Sequence, residues 1–547
     1  MLKRVGEQET NSAITNREFR ITVLYVFTIC IAWLFILTIT AIDPLKLSMI
    51  VYLITPISLL ISVIFRRTLL KEFIVRYLLY ASLTLSLLSY YITLPLSIKV
   101  MNPDIAWIIE TYSSFILLGL LILGILLLSS IWSVLLANTM NLWGVGIPPI
   151  FRIRFYAKYY SSRSIINFLI TVICIVTISY FLKGSIMIMN YIVFFAIGLI
   201  SPIESIISII VQAIIIYQTI TLIKKFLAIG TVSMNFSPFL GICIGSFISF
   251  ILVTLRYWKR VISSMKSILI RYSLISVTVI GTSLLILTKD LNAFVYALII
   301  LSITFLSSFT LTSISNTFIN LGSLPVFGSK IVFPLTFILI AILSSITSLY
   351  STPKSLTYKI LPWTMLVTIT MIPALLSDVL MYTIKKVPKN RLVIESKRIF
   401  HELLVCFVIT FAFASFYLYH FPRFEVFFVS PNIISNLTLL KNINLIIDYN
   451  LLSIGLLLSI IIGVIRFLLG DLTISILMFN PITPPIAYLI SLNFLSFVFY
   501  LLGGVVKCLI IFLILLGRVM NLEKYINLVY PIAMGILVAI SITTIFS

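Results

Sequence analysis

Charged side chains are scarce in this chain of 547 residues, because only 10% of them are Asp, Glu, Lys or Arg. In a soluble protein, such residues make up roughly a quarter of the chain. Hydrophobic residues make up 61% of the chain, and the mean hydropathy is +1.21. No long segment is polar enough to cover a soluble core. The chain is therefore predicted to be one membrane-embedded unit rather than a set of soluble domains.

Residues that bind cofactors are also few. The two histidines, His401 and His420, lie nineteen residues apart at opposite ends of one predicted helix, which separates them by roughly 28 Å. They cannot bind one metal within a single copy, so haem, copper and zinc sites are not expected. No Walker loop GxxxxGK[ST] occurs, which excludes an ATP-hydrolysing subunit of that kind. The sequence predicts no cofactor, no metal and no enzymatic activity.

Cysteines are few, and none is paired at CxxC spacing. All of them lie inside apolar runs, which predicts small buried hydrophobic side chains rather than disulfides or zinc ligands. They are Cys30, Cys174, Cys243, Cys406 and Cys508.

Acidic residues are outnumbered, since 38 Lys and Arg stand against 16 Asp and Glu. The basic residues fall in short clusters between apolar runs, a distribution typical of loops on the cytoplasmic side of a membrane. We therefore expect contact with a lipid bilayer and attraction to its anionic headgroups, and no binding to nucleic acid. The main clusters are RRTLLKEFIVR (66–76), FRIRFYAKYYSSR (151–163), RYWKRVISSMKSILIR (256–271) and KKVPKNRLVIESKR (385–398).

What the chain does contain is a series of apolar runs of about twenty residues, long enough for a transmembrane helix and too continuous for a barrel strand. The fold class is therefore an all-α, polytopic integral membrane protein with about 14–16 transmembrane helices, some of them broken or re-entrant. The predicted spans are 21–42, 46–65, 77–98, 113–137, about four within 165–255, 272–288, 293–313, 331–350, 360–384, 402–420, 451–470, 496–517 and 528–546.

The loops between these spans predict the orientation of the chain. If the basic clusters share the cytoplasmic side of the cell membrane, residues 1–20 form a cytoplasmic tail and 421–450 an outward loop. Residues 21–547 then form a single transmembrane domain. In the cluster at 256–271, basic and apolar residues alternate near helical spacing, which predicts an amphipathic helix lying on the cytoplasmic face.

Proline interrupts the apolar runs at three places. Ser201-Pro202 and Ser237-Pro238 each predict a helix start or a kink, because proline lacks a backbone donor and restricts the preceding residue. The third place is the run 466–535, where Asn480-Pro481 and Pro484-Pro485 follow one another. This run also contains an interior Arg and an interior Lys, so it is the candidate site region. We expect it to pack against the two earlier breaks and form a polar cavity at mid-membrane.

Ionisable residues within or beside spans are costly and usually mark a substrate or ion pathway. On this interpretation Arg466, Lys507 and Asn480 bind substrate, whereas Asp378, Glu204 and Asp471 couple protons or cations. In the alternative interpretation, Arg466 and Asp471 pair near a helix end, and Lys507 extends its amine to the membrane surface.

The C-terminal residues also resemble a known family. A proline-rich entry precedes a small-residue helix, an aromatic helix runs through glycines to an embedded lysine, and a tyrosine and a Pro-then-Gly final helix follow. This pattern resembles the C-terminal portion of divergent prokaryotic members of the oligopeptide transporter superfamily. The residues that carry it are Asn480-Pro481, Pro484-Pro485, Phe497-Val498-Phe499-Tyr500, Gly503-Gly504, Lys507, Tyr525, Pro531 and Gly535.

The resemblance implies a secondary transporter that moves small peptides or metal chelates with protons, by alternating access around broken helices. Two other functions also fit the sequence. One is a non-catalytic membrane subunit that anchors an exported or membrane partner, as in a respiratory complex of the cytochrome type or a surface protein complex. The other is a flippase for lipids or lipid-linked sugars. A homo-oligomer is compatible with all three.

Overall fold

Every element described by the computed structural model is an α-helix, which confirms the all-α membrane class. The structure describes residues 19–36, 112–143, 162–181, 186–200, 203–226, 237–289, 292–320, 392–420, 448–469, 484–491 and 494–516, with single helical positions within 76–91, 376–384 and 531–539. The predicted spans at 46–65 and 331–350, the loop at 421–450 and the tail at 1–18 lie outside these residues.

The described helices are named here in chain order. They are α1 (Phe19–Ile36), α2 (Tyr112–Trp143), α3 (Ser162–Phe181), α4 (Ile186–Ile200), α5 (Ile203–Phe226), α6 (Ser237–Thr288), α7 (Ala293–Asn320), α8 (Leu392–His420), α9 (Tyr449–Leu469), α10 (Pro484–Ser491) and α11 (Phe494–Leu516). The described positions between Arg76 and Tyr91 are also helical and are called the 76–91 segment.

Six stretches of helix are long and apolar enough to cross a membrane. They are Phe19–Ile36, Ile116–Met140, Ser237–Thr254, Ile268–Leu287, Ala293–Thr312 and Glu395–Tyr417. Shorter apolar stretches lie in α3, α5, α9 and α11. The chain is therefore a multi-spanning membrane protein, and four helical stretches occupy 165–255 as the sequence predicts.

Proline and polar caps set the helix boundaries. α4 ends at Ile200 and α5 begins at Ile203, so Ser201-Pro202 breaks the helix as predicted. α6 begins at Ser237, immediately before a proline that can occupy the first turn. Asp448 caps α9, because its carboxylate Oδ1 accepts the Asn450 amide at 2.9 Å.

The segment 256–271 is helical as predicted and forms the middle of α6, which is 52 residues long. Its place on the cytoplasmic face stays a prediction. No proline or glycine lies between Gly245 and Gly281 to end the helix. The two spans inside α6 cannot belong to one straight rod, which would be about 78 Å long against a hydrocarbon core of about 30 Å.

The contacts of α6 show where it bends. Met265 and Ile280 pack on α2 near Asn138 and Gly124, so α2 runs antiparallel to this half of α6. Phe247 stacks on Phe305, which in turn stacks on Trp132 in the middle of the same α2 surface. A straight helix would carry Phe247 about 27 Å beyond Met265 in the opposite direction. α6 therefore bends between Phe250 and Met265.

The first half of α6 packs in parallel against α9 at very short range. A Cβ added to Gly241 would lie 2.8 Å from the Leu456 amide nitrogen, and one added to Gly455 would meet the backbone of Pro238. Small residues allow this approach of backbones, which replaces the hydrophobic effect as the source of helix association in lipid. Across the same contact, Ser249 Oγ donates to the Ser459 carbonyl at 2.8 Å.

One prediction about the cysteines is wrong in part. Cys30, Cys243 and Cys406 are buried, but Cys174 and Cys508 are exposed on α3 and α11. Both lie among exposed apolar side chains such as Ile173 and Leu509. In a membrane protein the outer face of a helix is also apolar because it meets lipid, so an apolar setting in the sequence does not imply burial in protein.

Candidate functional site

The first polar region is on α11, where Lys507 is buried with 1% of its surface exposed. Tyr500, Gly503 and Gly504 are buried on the same helical face, at spacings of three and four residues. The opposite face, with Leu509 among others, is exposed. Lys507 therefore extends into the protein interior, and the alternative in which its amine reaches the membrane surface does not fit this placement.

The face of α11 that carries Lys507 packs on α4. Tyr191 stacks on Phe499 with ring centroids 5.8 Å apart. A Cβ on Gly503 would lie 3.1 Å from the Leu199 amide nitrogen, so the two backbones are close here as well. These two contacts pair residues about 306 apart in sequence, which makes α4 and α11 parallel. The same register sets Lys507 level with the end of α4 at Ile200.

Two helices have ends near this level, α4 at Ile200 and α5 at Ile203. The last carbonyls of α4 and the first amides of α5 have no partner within their own helices, and they carry the partial charges of the helix dipoles. Glu204 is in the first turn of α5, next to the break. Its backbone is helical, but its side chain is outside the described set.

The short helix α10 connects the C-terminal run to both proline breaks. It packs on α5, α6 and α11. Phe239, in the first turn of α6, contacts Tyr488 of α10 with ring centroids 5.4 Å apart. Through α10 and α11, the run 466–535 thus packs against helices α4, α5 and α6, which adjoin the two earlier breaks.

The other predicted site residues are less well located. Arg466 is in the last turn of α9, about 27 Å along the helix from its start beside Ser237. Its backbone is therefore far from the Ser237-Pro238 break. Its side chain, and Asn480, Asp471 and Asp378 altogether, lie outside the described residues, so the shared cavity stays a prediction.

A second polar region was missed by sequence reasoning, and its centre is Glu402 of α8. The Glu402 carboxylate is buried and accepts hydrogen bonds from Arg76 Nη2 at 2.9 and 3.1 Å and from Tyr80 Oη at 2.8 Å. These residues are more than 320 positions apart in the chain. Charge-assisted bonds of this kind are about twice as strong as neutral ones.

Arg398 extends this region along α8. Its Nε lies 3.5 Å from Glu402 Oε1, and its Nη2 lies 2.6 Å from Glu395 Oε2. Positive and negative groups thus alternate from Glu395 through Arg398 and Glu402 to Arg76. We call these four residues together with Tyr80 the Arg76–Glu402 cluster. The formal charges of these residues cancel.

Polar contacts continue from α8 to α2 and α6. Ser396 Oγ donates to Asn138 Oδ1 at 2.8 Å, and Asn138 Nδ2 donates to Met265 Sδ at 3.4 Å. Three of the parts of the chain that meet here belong to basic segments predicted to share a side. They are Arg76 of the cluster at 66–76, Met265 of the cluster at 256–271 and Ser396 of the cluster at 385–398.

The pairing of Arg76 with Glu402 was not predicted from the sequence, and the reason is physical. Arg76 is the last residue of a basic cluster, which is the expected composition of a solvated loop. The available signal was Glu402 itself, an isolated acid at the first position of a predicted span and one turn beyond a basic segment. An acid there needs a cationic partner, but the sequence does not say which one.

Metal binding has no support among the described residues, where no group of three His, Cys, Asp or Glu side chains could hold an ion. His401 and His420 both belong to α8 and are exposed. Comparison of the chain with protein-family models, curated proteins and solved structures finds no match. Functional inference therefore depends on the chemistry of these two regions.

Proposed function

We propose that this membrane protein is a secondary transporter whose substrate site is at the Ser201-Pro202 break, beside Lys507. The observation that carries the proposal is the burial of Lys507 in a helix that otherwise contains no charged residue. An ammonium group inside a membrane domain is costly, and such groups are typical of substrate and ion pathways.

The surroundings of Lys507 support the same function. A break within a membrane span supplies uncompensated amides and carbonyls, which secondary transporters use to bind substrates near mid-membrane. The register of α4 and α11 sets the ammonium group level with those helix ends. Lys507 is thus suited to the carboxylate of a small peptide or chelate, as the resemblance to oligopeptide transporters also implies.

Glu204 completes the proposed site. Its position in the first turn of α5 follows the break directly. In this proposal Glu204 accepts the coupling proton when substrate binds to the ammonium group of Lys507. The proposal includes no contact of Asn480, Asp471 or Asp378 with the substrate. Arg466 is also left out, because it is in the last turn of α9, far from the start of that helix beside Ser237.

The test is peptide uptake into proteoliposomes under an inward proton gradient, with a mixture of labelled di- and tripeptides. Lys507→Met is expected to lower uptake by at least about tenfold, equivalent to roughly 1.4 kcal/mol. Lys507→Arg should keep part of it, because the charge remains. Leu509→Met is the matched control, because Leu509 is on the exposed face of the same helix.

Two outcomes would contradict the proposal. Uptake by Lys507→Met equal to that of the unmodified protein would remove Lys507 from the site. Absence of any uptake, together with a partner protein that co-purifies in fixed ratio, would favour the membrane-anchor function instead.

A further inference from the structure

The three-way contact between α1, the 76–91 segment and α8 is built differently at its two ends. One end contains the Arg76–Glu402 cluster. At the other end aromatic rings meet: Trp33 contacts Tyr417 with centroids 6.1 Å apart, and Tyr91 contacts Phe411 at 5.4 Å. One end of the contact is therefore ionic, and the other end is apolar.

Stability alone does not account for the ionic end. A buried ion pair usually contributes no more than a well-packed apolar pair of the same size, because desolvation offsets the attraction. Its distinguishing property is that water or a competing charge can separate it. Arg76 keeps 20% of its side chain exposed and Arg398 keeps 13%, while Glu402 has none. The arginines thus form the layer between Glu402 and the surface.

The charges are also placed so that, if the 76–91 segment separated from α8, each charge would keep a partner or reach water. Glu402 and Arg398 belong to the same helix, four residues apart, and would stay paired if the 76–91 segment moved away. Arg76 is at the partly exposed edge and would return to water. A cluster built only to fix two helices together has no need of a second arginine on the same helix as the acid.

A second layer lies one helical turn deeper. Thr84 follows Tyr80 by four residues, and Cys406 follows Glu402 by four. Thr84 Oγ1 and Cys406 Sγ are 3.5 Å apart, and both side chains are fully buried. The Cys406 thiol is therefore buried directly behind the cluster.

We propose that the Arg76–Glu402 cluster is the gate at the basic end of the transport pathway. The inference rests on the proposed transporter function. In the closed state Arg76 and Tyr80 hold the 76–91 segment against α8. In the open state they release Glu402, which stays paired with Arg398, and the segment pivots about the aromatic contacts at the far end.

The first experiment locks the gate without touching the charged residues. Thr84→Cys places a second thiol opposite Cys406, and oxidation should join the 76–91 segment to α8 by a disulfide. Uptake of the labelled di- and tripeptides should then fall at least about tenfold and return after reduction, with Thr84→Ser as the control. Full uptake by the cross-linked protein would overturn the gate, because a static contact tolerates a cross-link.

The second experiment does not depend on transport. In protein lacking Cys30, Cys174 and Cys508, a membrane-impermeant maleimide is applied, and alkylation of Cys406 and Cys243 is followed by mass spectrometry. Glu402→Gln should speed alkylation of Cys406 by about tenfold. Cys243, buried in α6, should stay unreactive.

The two experiments separate the two proposals. If the unmodified protein takes up no peptide, the proposed transport function fails, and the alkylation rates alone decide on the gate. Equal Cys406 reactivity with and without Glu402→Gln would overturn the gate. A joint rise of both thiols would also overturn it, since that result indicates general loosening of the bundle.

Discussion

The α6–α9 contact and the Arg76–Glu402 cluster hold helices together by opposite means. Between α6 and α9, glycines bring the backbones so close that a single methyl group does not fit at Gly241. Between the 76–91 segment and α8, long charged side chains span the gap and meet at Glu402. Close backbone packing cannot open without losing all its contacts at once. A bridge of side chains can open and close, so the two contacts suit a fixed scaffold and a moving part.

The largest expected effect is at the centre of the Arg76–Glu402 cluster. Glu402→Leu removes the hydrogen bonds that Arg76 and Tyr80 donate to this carboxylate, which should lower the free energy of unfolding by about 2–4 kcal/mol. The double variant Arg76→Leu/Glu402→Leu should lose no more than the single variant, because both changes break the same bridge. SDS titration of the purified protein in micelles measures both. A clearly larger loss in the double variant would show that the two side chains act independently.

An intermediate effect is expected in the glycine contact. Gly241→Ala pushes a methyl group into the backbone of α9 and should cost about 1–3 kcal/mol. Gly281→Ala is the matched control, because its methyl group would meet only the ring of Phe294, a side chain that can turn. The same SDS titration compares the two variants. Equal losses would show that the α6–α9 backbones can separate easily, contrary to their assignment as the scaffold.

The smallest effect concerns a hydroxyl in the same contact. Ser249→Ala removes the hydrogen bond to Ser459 and should cost about 1 kcal/mol, the scale of polar contacts between membrane helices. Ser130→Ala is the comparison, because the Ser130 hydroxyl bonds to Leu126 within its own helix. Unfolding of Ser130→Ala should change by less than about 0.5 kcal/mol. A larger loss there than at Ser249 would contradict the cross-helix role.

Local sequence features predicted the individual helices well. The spans at 113–137, 451–470 and 496–517 fall within a few residues of α2, α9 and α11, because apolar length and polar flanks define a membrane helix. Ser201-Pro202 and Ser237-Pro238 were correctly identified as boundaries, since the effect of proline is local. The segment 256–271 is helical as expected, but amphipathic spacing did not reveal that it is the middle of a longer helix. Its place on the cytoplasmic face stays a prediction.

The candidate site residues also show which features local sequence can predict and which it cannot. Lys507 could be selected from sequence because an ionisable residue in an apolar run is conspicuous in any fold. The direction of its side chain could not be predicted, because a lysine in α11 reaches either lipid headgroups or protein, depending on which face of the helix packs on α4. Glu402 could not be matched with Arg76, because partners more than 320 residues apart leave no local pattern.

Composition and periodicity by themselves determined that this protein is a helical, multi-spanning membrane protein with strongly basic loops, because the cost of charge and of open backbone in lipid acts on each segment separately. Which helices touch was decided only by the tertiary structure. Lys507 lies level with the end of α4, and residues of three basic segments meet around Glu402 and Asn138, through side chains distant in sequence. Pairing of this kind depends on the shape of whole helix faces, and no single segment contains that information.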